Sequence, residues 1–228
     1  FQAFGDARPA RSPVAALITP AIAGLAGLAA VRLVPLGLEL VAGLVVATGL
    51  LELALVLEGR LLARPSGATS QDRTSIVGLG LVSAFLVFTG VASLVPGGLD
   101  QAADAGAGLA RPSEPLAEAS ILILAVADAA VAFLLGYRFV ALRGGHLRPA
   151  ATVALGYAAA IAIGAGLVRA AALPRLLGPA LLTLVLFLWD AVRGSSPATR
   201  RDPRFLWEVG LLAALGVVVV AWNIGLRG

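Results

Sequence analysis

Long apolar runs broken by short polar ones divide the chain into seven segments, at 14–31, 36–57, 76–95, 119–142, 150–172, 176–192 and 205–226. Each is close to the ~20 residues that an α-helix needs to cross hydrocarbon. Proline or glycine stands at several of the breaks, as in Arg32 to Pro35 and Pro96 to Gly98. Inside a bilayer the backbone has no water to bond, so each crossing segment must satisfy its own N–H and C=O groups as a helix. The pattern predicts an all-α polytopic transmembrane bundle of seven spans, forming a single integral membrane domain over residues 1–228. The short joins make sequence neighbours antiparallel.

The polar breaks set the expected orientation. The lead before Val14, the loop Glu58 to Arg73, the segment Arg138 to Arg148 and the loop Arg193 to Arg204 fall on one side and hold twelve arginines, against five on the other side. Basic residues are retained in the cytoplasm, which places the N-terminus there and the C-terminus outside. The longest loop, Asp100 to Glu118, carries four acids and only Arg111, in keeping with the translocated side. The first span, with Arg8 and Arg11 before it and GLAGLAA near its end, also has the form of a secretory leader. Its length exceeds an ordinary leader core and favours a retained span.

An echo links the outer turns: LVPLGLE from Leu33, LVPGGLD from Leu94 and the weaker ALPRLLG from Ala172. It suggests three related hairpins followed by one terminal helix, with Pro35, Pro96 and Pro174 on one membrane side.

A mean hydropathy of +0.95 with 13% charged residues confirms the bilayer reading. All 17 basic residues are arginine, a bias that a GC-rich bacterial genome accounts for. The absence of Cys removes thiolate iron–sulfur ligation, thiol redox chemistry and disulfides from these residues. One histidine and no Met exclude bis-His and His/Met haem ligation, and the absence of Lys excludes a retinal Schiff base. The net charge of +4 belongs to arginines at span ends, so topology and not nucleic acid explains it.

Against this background the intramembrane polar residues become the candidate chemistry. Asp128 stands alone among small and apolar residues from Ser120 to Tyr137. An acid at that depth costs about 3 kcal/mol to insert, so it is expected to face protein, water or a ligand. Ser83, Thr89, Tyr157, Thr183 and Glu52 are its candidate polar neighbours. Glu52, late in the second span, and Tyr157, two turns into the fifth, are candidates for a proton, polar or ligand contact beside Asp128. Asp190 and Arg193, three residues apart, are expected to pair on one helix face. His146 lies in a loop and is expected to be solvated, and Arg169 and Arg175 are read as partners for lipid phosphate or nearby acids. Gly156, Ala160 and Gly164 in the fifth span, and Ala23 and Gly27 in the first, form small-residue faces of the kind that let membrane helices pack closely. No phosphate loop, catalytic triad or metal-spaced cluster is present, so no catalytic or metal residue is assigned.

Over roughly residues 83–192 the chain resembles the DoxX-like family of small membrane proteins. In that family a helix ends in a G-x-x-x-L-x-P turn, and a later Gly-Leu leads to a helix that carries an acid and ends in basic residues. Gly90, Leu94, Pro96, Gly108, Leu109 and Asp128 fill those places. The lysine often found before the turn is replaced here, by Ala92 or Ser93, and three further spans surround the four-helix core. The resemblance implies a membrane subunit accompanying an oxidoreductase, as in thiosulfate:quinone oxidoreductase, and carries over no catalytic residue.

The sequence therefore leads to a noncatalytic subunit that anchors or stabilises a membrane redox complex, with quinone or lipid as a ligand and no cofactor held by this chain alone. Its expected location is the bacterial inner membrane, among lipids and other subunits. The alternative is a proton-coupled small-solute carrier using Asp128 and Glu52.

Overall fold

The computed structural model describes residues 13–34, 37–63, 69–94, 118–143, 147–170, 173 and 176–225. These form eight helices: α1 Pro13–Leu33, α2 Leu38–Ala63, α3 Ser70–Ser93, α4 Glu118–Leu142, α5 Leu147–Ala170, α6 Leu177–Gly194, the single-turn α7 Pro197–Arg200, and α8 Pro203–Gly225. Seven of them, all but α7, are long and apolar enough to cross a membrane, and the chain is a multi-pass membrane protein. His146, Arg175 and the turn prolines Pro35, Pro96 and Pro174 lie outside the described residues.

Two stretches read as polar loops are partly helical. Between Glu58 and Arg73, α2 runs on to Ala63 because Glu58 and Leu61 point into the bundle and are buried there. α3 then begins six residues before the expected Ile76, because Thr69 and Asp72 form a reciprocal capping box. The Asp72 amide donates to Thr69 Oγ1 at 3.2 Å, and the Thr69 amide donates to Asp72 Oδ2 at 3.0 Å. Between Arg193 and Arg204, Ser196 caps α7, and Pro197 occupies a first-turn position where its missing N–H has no helical partner to lose.

The core is shared by α1, α3, α4, α5 and α6, which contribute Ile22, Phe88, Leu135, Ile161 and Leu186 to one buried cluster. α4 packs most extensively on α5, across the boundary between the second and third of the suggested hairpins. That approach is possible because Gly136 has no side chain: a Cβ there would lie 2.5 Å from Tyr157 Cγ. Gly27 plays the same part between α1 and α2, where a Cβ would come within 2.8 Å of Ala47 Cβ. Apolar residues gain nothing by leaving lipid for protein, so such backbone approach and polar bonding must hold the helices together. The helices α2 and α8 stand at the perimeter: 6% of the apolar window of each is buried, against 56% for α3.

Candidate functional site

Polar side chains meet inside the bundle at two levels, and α4 connects them. From Asp128 to Arg138 is ten residues, or about 15 Å along the helix axis. The first level lies toward the arginine-rich ends of the helices and the second lies toward the opposite ends.

At the first level, Glu58 of α2, Arg138 of α4 and Thr19 of α1 are all buried. Glu58 Oε1 accepts from Arg138 Nε at 2.9 Å and from Thr19 Oγ1 at 2.6 Å, while Oε2 accepts from Arg138 Nη2. The guanidinium thus meets the carboxylate as a two-pronged fork, the strongest neutralising geometry available to these groups. Three helices are tied by one acid.

A second cluster at this level joins α4, α5 and α6. Arg143, just past the end of α4, donates through Nη2 to Asp190 Oδ2 at 2.6 Å. The Tyr157 hydroxyl donates to Asp190 Oδ1 at 2.6 Å. Burial opposes the Arg143 charge, but the Asp190 carboxylate and the Tyr157 hydroxyl outweigh it and raise its pKa above the ordinary arginine value. The expected Asp190–Arg193 pair does not form. Asp190 turns inward to Arg143, and Arg193 instead lies over the Trp189 ring, 5.1 Å from its centroid.

At the second level Asp128 is fully buried, and its Oδ2 accepts from Arg169 Nη2 of α5 at 2.7 Å. Its partner is none of the five side chains expected. Thr89 and Thr183 donate to carbonyls of their own helices, Phe85 O at 2.7 Å and Pro179 O at 2.9 Å. Ser83 Oγ is buried without a hydrogen bond, Tyr157 is committed to Asp190, and Glu52 lies on the outer face of α2. The expected link between Glu52 and the bundle is corrected: Glu52 is exposed and has no hydrogen bond or ion pair among the described residues. Asp128 Oδ1 and Arg169 Nη1 are also buried without hydrogen-bond partners.

The small-residue faces lie between helices. Gly156 and Gly164 face Trp189 and Leu182 of α6, with half-buried Ala160 between them in sequence. Ala23 is fully buried in a cluster with Ala54 and Leu79. An apolar cleft of about 550 Å³ lies between α5, α6 and α8, lined by Gly164, Leu181, Leu184, Gly216, Val217 and others. No group of three or more His, Cys, Asp or Glu gathers among the described residues.

Glu58, Arg138 and Arg143 are the site residues that span assignment missed, because it gave all three to the polar breaks, whereas Arg169, read as a partner for lipid phosphate or a nearby acid, pairs with Asp128. A usable signal was present at Glu58, which shares a helix face with Ala54 and Leu61, three or four residues away on either side.

The fold and its buried ion pairs define a polytopic helical membrane protein with arginine-clamped acids. Comparison of the chain with protein-family models, curated proteins and solved structures finds no match.

Proposed function

We propose that the protein is a noncatalytic integral subunit of a membrane complex, acting through assembly and lipid contact. The observation that carries this reading is the packing between the two polar levels. Leu135, Ile161, Leu182 and Leu186 belong to one buried apolar cluster there and are all at most 2% exposed. A carrier using Asp128 needs a polar path from one level to the other, and this apolar layer stands across it. The acids of the core serve to join helices, whereas α2 and α8 leave most of their surface for neighbours.

The DoxX-like resemblance extends the proposal to a redox complex in a bacterial inner membrane, with the oxidoreductase chemistry carried by another subunit. The cleft beside α8 has an almost wholly apolar lining, which suits an acyl chain or the isoprenoid tail of a quinone better than a polar head group. The test is purification from native membranes in a mild detergent, followed by mass spectrometry of whatever migrates with the protein. A cofactor-bearing membrane protein in stoichiometric amount is the expected result. Migration without such a partner, accompanied by solute flux in liposomes that Asp128→Asn abolishes, would overturn the proposal in favour of a carrier.

A further inference from the structure

Glu52 is the intramembrane acid that the bundle does not use. It lies fourteen residues from Leu38 and eleven from Ala63, the ends of α2, and five residues, roughly 8 Å, inside Leu57, where the apolar run ends, so it stands within the hydrocarbon toward the arginine-rich side. At 100° per residue it sits about 160° around the helix from Ala54, which is fully buried against α1 and α3. Its carboxyl group therefore faces directly away from its own bundle.

Glu52 belongs to a regular stripe. Val41, Val45, Thr48, Glu52, Leu55 and Gly59 follow one another at alternating steps of four and three, and all are exposed. This 3.5-residue period is the seam of a left-handed helix pair. The other edge of α2, with Ala54, Glu58 and Leu61, is the one consumed by intramolecular packing. A Cβ added at Gly59 meets nothing, so the stripe has open space at its arginine-rich end.

We infer that α2 pairs with α2 of a second copy of this chain through the Val41–Gly59 seam, with the two Glu52 carboxyl groups bonded to each other across a twofold axis. Self-pairing follows from the chemistry of the group. A carboxyl in hydrocarbon is least costly as the neutral acid, which is one donor and one acceptor and hence its own complement. Copies inserted in the same orientation and related by an axis along the membrane normal have parallel α2 helices, so seam residues meet their equivalents at the same depth. In this pairing each Glu52 meets its own equivalent, which supplies both the donor and the acceptor it needs. The outward face of α8 offers Leu211, Leu215 and Val218 below its surface-proximal Glu208, and the exposed arginines of the described residues lie at or beyond helix ends. The inference is independent of the redox reading, which leaves α8 for a different subunit.

The chain has no cysteine, so single-cysteine crosslinking reports the contact directly. Leu55→Cys lies on the seam, and Leu53→Cys is exposed on the same helix but off the seam. In liposomes reconstituted at high lipid excess, oxidation is expected to yield dimer from the first and little from the second. Adding Glu52→Leu to Leu55→Cys should cut the dimer about tenfold, while Glu52→Gln, whose amide also donates and accepts, should retain it. Glu52 makes no hydrogen bond or ion pair within its own bundle among the described residues, so both variants should keep the melting temperature of the parent in detergent at dilutions where the protein is monomeric. Equal crosslinking at both positions, or dimer unaffected by Glu52→Leu, would overturn the inference. So would crosslinking of Leu55→Cys in native membranes to a different protein in place of a second copy.

Discussion

On the arginine-rich side of the bundle, Glu58 has both oxygens engaged, one of them twice. Ten residues along α4, Asp128 is equally buried but uses one oxygen of two, on an arginine that also keeps a bare nitrogen. The first arrangement joins three helices and the second joins two. Removing one partner of a fully desolvated pair exposes the other to the whole cost of burial. The difference is therefore one of tolerance: Arg138 of the Glu58 clamp is fully enclosed, whereas the Asp128 pair is incompletely bonded and its arginine stands near the end of its helix.

The largest expected effect is at the clamp. Arg138→Leu leaves Glu58 buried without its fork and should destabilise the protein by about 3–5 kcal/mol, measured by thermal or denaturant unfolding in detergent. A loss under about 1 kcal/mol would erase the distinction between the two levels, since surface pairs cost as much.

Asp128→Leu comes next. Arg169 lies one residue from the end of α5 and can swing its guanidinium to the membrane surface, so the expected loss is about 1.5–3 kcal/mol, the scale of one hydrogen bond to a charged group. Asp128→Asn keeps an acceptor for Arg169 and should cost less, with assembly intact. Combining Asp128→Asn with Arg169→Gln sharpens the point, because paired residues give a double variant that loses less than the two singles added together. Strict additivity would mean that the 2.7 Å contact contributes nothing specific.

The smallest effect is expected for Tyr157→Phe. It removes the hydroxyl donated to Asp190 Oδ1 but leaves Arg143 on Oδ2, so about 1.5 kcal/mol, the low end for a hydrogen bond to a charged group, is expected, again by unfolding in detergent. A loss approaching that of Arg138→Leu would mean that Tyr157, and not Arg143, holds Asp190 in place.

The spans were legible because hydropathy over some twenty residues is a property of each segment alone. Asp128 was legible for the same reason: its cost in hydrocarbon does not depend on where the rest of the chain goes. Its partner was not. The three acid–arginine pairs join residues 80, 47 and 41 positions apart, and two of the arginines, Arg138 and Arg143, fall in a basic segment whose charge orientation alone already accounts for. The same charge that marks a cytoplasmic loop can fold back along the helix and enter the bundle. Glu52 presents the reverse case, since periodicity locates its face but only the packing of α2 tells which side of the helix is taken.

The helices also differ in the apolar length they offer. In α2 the run from Leu40 to Leu57, broken only by Glu52, spans about 27 Å, close to the hydrocarbon thickness of an ordinary bilayer. In α8, the other perimeter helix, the run from Val209 to Trp222 is bounded by the exposed Glu208 and spans roughly 21 Å. Lipid next to α8 must compress or the helix must draw polar groups into the acyl region, whereas lipid next to α2 can keep its resting thickness. The protein is thus a wedge in hydrophobic thickness, and a bilayer that surrounds it will be thinner along one flank than along the other.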